Sequence, residues 1–126
     1  MNKKLNILIA DDNKNFVEAF RFLLNNIEEN VNIHEVYTAY NSEECMNVIY
    51  NHPVNIVFMD IDMPDANGDV TTKKIIDFNR YIKVIAVSFH NEIEYVKKMI
   101  KAGAINYITK ENLSMTAIAH AIKSNS

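Results

Sequence analysis

The chain has one cysteine, Cys45, so no internal disulfide can form. Cys45 falls among apolar residues of an expected helix, where a thiol packs as a small hydrophobe. The four histidines, His34, His52, His90 and His120, lack metal-ligand spacing. No stretch is long and apolar enough to span a bilayer. The opening MNKKLNILIADDN carries lysines before an apolar run, but that run is too short for a signal peptide, broken by Asn6 and stopped by Asp11. Nor is there charge of one sign to attract polyanions: the net charge is −3, so neither general nucleic-acid binding nor anionic-membrane binding is expected. Repeats, low-complexity tracts and linkers are missing as well. These absences point to a reducing, cytoplasmic setting. With 126 residues there is room for one domain with one core, so 1–126 reads as a single unit.

What is present is an alternation. ILIA (7–10) is a short apolar run bounded by acids, as in a strand buried on both faces. Phe16, Val17, Phe20, Leu23, Leu24 and Ile27 then fall at helical spacing. A strand is expected over 31–39. A helix follows over 41–51, opened by Asn41 with Glu44 three residues on and ended by Pro53. IVFM (56–59) reads as a third strand, and Val70 to Phe78 as a short helix with Ile75, Ile76 and Phe78 supplying apolar contacts. KVIAVS (83–88) is a fourth strand. The helix over 92–103 is expected to turn Ile93, Val96 and Ile100 inward and to end on Gly103. INYIT (105–109) is a fifth strand, and 114–124 a last helix capped by Ser114. Five strand–helix units imply an α/β fold: a five-stranded parallel sheet with helices on both faces, of flavodoxin-like order 2-1-3-4-5.

In such a sheet, ligands bind beyond the C-terminal ends of the strands. The sequence places Asp11-Asp12, Asp60, Ser88 and Lys110 there, with Asp62 close behind. Each alone has an ordinary explanation: a helix cap, a turn acid before Pro64, a loop hydroxyl, a solvated lysine. Together they do not. Carboxylates packed without a cation destabilise a fold, whereas a hard dication such as Mg²⁺ satisfies them. A lysine and a hydroxyl beside that cation make a clamp for phosphoryl oxygens, with an aspartate at its centre as nucleophile. Asp60, abruptly ending an apolar strand, is the residue expected to be phosphorylated.

The residues DD at 11–12, DIDMPDANG at 60–68, VIAVS ending in Ser88 and AGAINYITK ending in Lys110 resemble the receiver domain of two-component response regulators over essentially the whole chain. The resemblance implies that Asp60 is the phosphoacceptor. It implies that Asp12 and Asp60 ligate Mg²⁺ with the backbone carbonyl of Asp62, and that Asp11 acts through a metal-bound water. Ser88 and Lys110 would hold phosphoryl oxygens, and Tyr107 would be the switch aromatic that turns inward with Ser88. A sensor histidine kinase or phosphotransfer protein is the implied donor, and the chain would catalyse only its own phosphorylation and dephosphorylation. Phosphorylation would alter the face of helix 4, strand 5 and helix 5, and with it partner binding or homodimer formation. The stretch after strand four is most similar to receivers linked to a helix-turn-helix output domain, so DNA would be reached only through a domain absent from these residues.

Three positions depart from the common receiver pattern. Glu111 follows Lys110 where proline is frequent, so a trans peptide is expected there. Phe89 follows Ser88 where a small residue is common, and either narrows access to Asp60 or packs aside. Asp62 adds a carboxylate near the phosphoryl site, and with His90 is expected to tune the phosphoryl lifetime. Lys97, Lys98 and Lys101 form a basic edge that reads equally as a solvated face or a docking site. A haloacid-dehalogenase-type phosphatase shares D-x-D at a strand end, but carries it on the first strand. An FMN binder needs a Ser/Thr/Gly-rich loop where this chain has ADDNKN. A receiver acting only as an interaction module is the third alternative.

Overall fold

The computed structural model describes residues 4–27 and 31–125. Strands and helices alternate as β1 (Leu5–Ala10), α1 (Lys14–Asn25), β2 (Ile33–Ala39), α2 (Ser42–Asn51) and β3 (Ile56–Met59). There follow α3 (Gly68–Phe78), β4 (Lys83–Ser88), α4 (Ile93–Ala102), β5 (Asn106–Thr109), a 3-10 turn (Lys110–Asn112) and α5 (Met115–Asn125). All four strand pairings are parallel and the order is β2-β1-β3-β4-β5.

Strand periodicity divides the core in two. Leu8, Ala10, Val57, Met59, Val84 and Ala86 face α2, α3 and α4, meeting Cys45, Ile49, Ile75 and Met99. Their chain neighbours Ile7, Ile9, Ile56, Phe58, Ile85 and Val87 face α1 and α5, meeting Val17, Phe20, Leu24, Ile118 and Ile122. Burial on both faces is why the three central strands read as continuous apolar runs. Burial also pushes the Cys45 thiol up to about 12, which keeps it neutral and inert.

Helix ends follow their sequence signals. Asn41 Oδ1 accepts the Glu44 N–H at 2.8 Å, while Glu44 Oε1 accepts the Tyr40 N–H at 2.8 Å, a capping box reaching one residue further back. Ser114 Oγ accepts the Ala117 N–H at 3.1 Å. Gly103 closes α4 at φ +122°, where its hydrogen in place of Cβ also clears the Ile76 side chain. The Lys110–Glu111 peptide is trans, as expected.

Five expectations need correction. β1 begins at Leu5, because the backbone of Asn6 stays paired: its N–H reaches Asn55 Oδ1 at 2.7 Å and its carbonyl accepts the Asn55 N–H at 2.9 Å. β2 begins at Ile33, although the Asn32 carbonyl still accepts the Leu5 N–H. α3 begins at Gly68, two residues early, because that glycine closes the preceding loop. α4 is rotated from its expected orientation: Met99 is buried and Tyr95 packs against the core, while Val96 is half-buried, Ile93 is 62% exposed and Ile100 47% exposed. Phe78 of α3 is also exposed, and its ring meets Tyr50 edge-on at 5.0 Å.

Candidate functional site

The sheet register assembles the site. Asp60 N–H donates to the Ala10 carbonyl at 2.9 Å, and Asp11 N–H to the Ala39 carbonyl at 3.0 Å, so the ladder continues one residue past β3 and β1. Ser88 is paired with Thr109, which sets Lys110 just beyond β5. Apolar strands buried on both faces thus end together in polar side chains.

Lys110 is the hub. Its side chain is only 7% exposed, and Nζ lies 2.7 Å from Asp11 Oδ2 and 4.0 Å from Asp60 Oδ1. The ammonium also sits 4.1 Å from the Phe16 ring centre and 5.0 Å from that of Phe89. Phe89 therefore packs over Lys110, though the residue remains 66% exposed. Phe16 is a site residue that the sequence reading assigned only to the core. The one available signal was its place in the first turn after the acidic pair.

Asp11, Asp12 and Asp60 each offer a carboxylate oxygen within 4.8 Å of the others. Asp11 and Asp60 are buried, while Asp12 is exposed. One lysine does not neutralise three acids. Burial, and then the Asp11 carboxylate, push Asp60 up to about 7, against the opposing pull of Lys110. An all-oxygen cluster with unmet negative charge fits a hard divalent cation.

Asp62 stands apart from this trio. Its carboxylate turns to His90, Oδ2 to Nε2 at 2.7 Å. The His90 ring stacks on Tyr95 at 4.0 Å and 12°. Ser88 Oγ accepts the His90 N–H at 3.1 Å, and the Tyr107 hydroxyl donates to the His90 carbonyl at 2.6 Å. Ser88, His90 and Tyr107 are thereby joined through one residue of the β4–α4 connection. Burial holds the Tyr107 phenol above its ordinary value, favouring the protonated donor.

The loop from Asp60 to α3 closes on itself. Gly68 N–H donates to the Ile61 carbonyl at 2.6 Å, and a Cβ at Gly68 would collide with the Asp60 carbonyl oxygen and lie 2.8 Å from Ile61 Cα. The glycine of the sequence pattern is required by this close approach.

The family model described as the response regulator receiver domain matches residues 7–123. The chain belongs to this family. The receiver domain is 29% identical over 120 residues to the transcriptional regulatory protein DegU of Brevibacillus brevis, covering 95% of this chain and 49% of that protein. It is 30% identical over 120 residues to the response regulator protein TmoT of Ectopseudomonas mendocina, covering 93% and 52%. The chain thus spans about half the length of these curated relatives. Among solved structures it is similar to a LuxR-family two-component response regulator from Aurantimonas sp. SI85-9A1, with TM-score 0.85 and 23% identity, covering 97% of this chain and 84% of that one. A CheY-like receiver domain protein from Methanospirillum hungatei JF-1 gives TM-score 0.82 at 24% identity, covering 97% and 93%. Both share the fold.

Of the residues singled out in the sequence, the receiver domain brings Asp11, Asp12, Asp60 and Lys110 together directly. Ser88, His90 and Tyr107 form the adjoining hydrogen-bonded group, and Phe89 covers Lys110. The Asp62 carboxylate does not join the acidic cluster. Lys98 and Lys101 line a groove of about 870 Å³ between α3 and α4, with Lys73 and Lys74 opposite. No helix among the described residues is long and apolar enough to cross a membrane.

Proposed function

We propose that this receiver domain accepts a phosphoryl group on Asp60 from the phosphohistidine of a sensor histidine kinase or phosphotransfer protein. The observation that carries this is Asp60 itself: a buried carboxylate at a strand end, beside Asp11 and Asp12, with one buried lysine 4.0 Å away. A carboxylate oxygen of Asp60 forms the new P–O bond as the donor P–N bond breaks, and the electron pair stays on the departing imidazole. Lys110 exchanges its hold on Asp11 for a phosphoryl oxygen, and Ser88 donates its hydroxyl proton to another. Phe16 and Phe89 keep Lys110 in place during that exchange.

Asp12 and Asp60, with the backbone carbonyl of Asp62, would hold Mg²⁺, and Asp11 would act through water in its shell. Bound there, the ion neutralises charge on the carboxylates and the transferring oxygens. The chemistry is self-directed: the chain modifies its own aspartate and turns over no other substrate. Asp62 and His90 then set how long the acyl phosphate survives, by closing one side of the site.

The output reading follows from the His90 junction. Drawing Ser88 toward a phosphoryl group breaks its bond to the His90 N–H, and Tyr107, bonded to the His90 carbonyl, moves with the loop. Next to that loop, α4 presents Ile93 and Ile100, with Ile105 following it. This α4–β5–α5 face is proposed to change on phosphorylation and to drive homodimer formation or partner binding. DNA would be reached only through an output domain outside these residues, in the cytoplasm.

The test is intact-protein mass after incubation with acetyl phosphate. One added phosphoryl group is expected, dependent on both Mg²⁺ and Asp60 and absent in Asp60→Asn. A folded protein that gains no mass with Mg²⁺ present, even at the shortest times, would favour the interaction-module reading instead.

A further inference from the structure

The β3–α3 loop is fastened to α2 by a side chain, Asp65, that lies outside the acidic cluster. Ile61 and Met63 are buried, and the Gly68–Ile61 hydrogen bond and an Asp62–Asn67 bridge close the base of the loop. Beyond Met63 the chain emerges at Pro64 and Asp65. Asp65 then reaches across to α2. Its Oδ1 accepts the Ser42 N–H at 2.8 Å and its Oδ2 accepts the Glu43 N–H at 2.9 Å. These are the first two amides of α2, which the helix itself leaves unpaired. The third available amide, that of Glu44, is taken by Asn41. A buried Ser42–Thr71 hydroxyl contact of 2.6 Å joins the starts of α2 and α3 beneath the clamp. The amide bonds hold the Asp65 carboxyl below its ordinary range, so both oxygens are charged acceptors near neutrality.

We propose that Asp65 is a positioning residue, clamping the β3–α3 loop to the N-terminus of α2 and so fixing the Asp62 backbone beside Asp60 for divalent-cation binding. The inference rests on the receiver reading above, in which the Asp62 carbonyl is a metal ligand. Freeing the exposed half of the loop leaves that carbonyl less well aimed, as loss of an outer support does at metal sites generally. The clamp is not legible as a metal determinant in the sequence, because Asp65 follows Pro64 as any turn acid could.

The experiment is calorimetric titration of the full chain with MgCl₂, together with amide hydrogen exchange at Ser42 and Glu43. Asp65→Ala is expected to weaken Mg²⁺ binding by about 10-fold, the low end for loss of an outer support, and to speed exchange at both amides. Asp65→Asn retains one strong acceptor and is expected to fall between. Asn41→Ala uncaps the same helix end without touching the loop, and is expected to keep the wild-type Mg²⁺ affinity. Unchanged Mg²⁺ affinity in Asp65→Ala with both amides released would overturn the proposal. So would equal weakening in Asn41→Ala, which would assign the effect to helix stability. Should Asp65→Ala not fold, the Asp65→Asn and Asn41→Ala pair decides by the same criterion. Wild-type protein that binds no Mg²⁺ would overturn the receiver reading itself.

Discussion

Helices α1 and α4 carry apolar stripes of similar sharpness, yet they do opposite things with them. In α1 the stripe is the core: Val17, Phe20 and Leu24 are buried, and Phe20 packs on Phe58 of β3 at 4.8 Å. In α4 only Met99 is fully buried, while Ile93 and Ile100 face outward. The carboxylates divide in the same way. Asp65 has two amide donors and is held low, whereas Asp60 is buried beside Asp11 and pushed up. Where the demands of a side chain are met, the residue specifies the fold. Where they are left unmet, at Asp60 and along α4, the proposed function resides.

The contrast can be tested from its strongest end. Phe20→Ala removes a buried ring from the α1 side and is expected to lower stability by about 3–5 kcal/mol in urea unfolding. A loss under about 1 kcal/mol would mean α1 is no more committed to the core than α4.

Next comes the unmet charge at Asp60. Its carboxyl moves from an ordinary 3.8 to about 7 on folding, so the folded chain binds that proton more tightly than the unfolded chain. Without metal, this group favours the fold at low pH, and that contribution is lost as pH rises through about 7. Asp60→Asn should therefore raise the metal-free melting temperature at pH 8, with the gain shrinking as pH falls toward 4. Equal melting temperatures at pH 8 would place Asp60 among the satisfied acids.

A smaller effect is expected where α4 ends. Gly103→Ala puts a side chain at φ +122° against Ile76 Cγ1, and is expected to cost of order 1–3 kcal/mol in chemical unfolding. The smallest stability change belongs to the outward stripe. Ile100→Ala should shift unfolding by no more than about 0.5 kcal/mol. It should nonetheless reduce phosphorylation-dependent self-association in sedimentation velocity. Core-sized destabilisation would break the comparison, and unaltered self-association of the phosphorylated protein would separate the stripe from output.

Much of this was legible in the sequence, for physical reasons. Double burial makes β1, β3 and β4 continuous apolar runs, and their abrupt acidic or hydroxyl ends mark the edge where the sheet opens. The orientation of α4 was not legible. Helical spacing supports both an Ile93–Val96–Ile100 line and a Tyr95–Met99 line, and only the sheet selects the second. The Phe16–Lys110 contact was hidden because it joins opposite ends of the chain, through a sheet register that no local pattern encodes. Asp65 was hidden because its partners are backbone amides of another helix, which have no sequence signature.

The central claim is that Asp60, rather than Asp11, Asp12 or Asp62, carries the acyl phosphate. Borohydride reduction of the acetyl-phosphate-treated protein, followed by peptide mass mapping, tests it directly, because an aspartyl phosphate is reduced to homoserine while a free carboxylate is not. The account predicts homoserine at position 60 alone, and only when Mg²⁺ was present. Homoserine at position 11, 12 or 62, or an unmodified position 60 in protein whose intact mass shows the phosphoryl group, would contradict it.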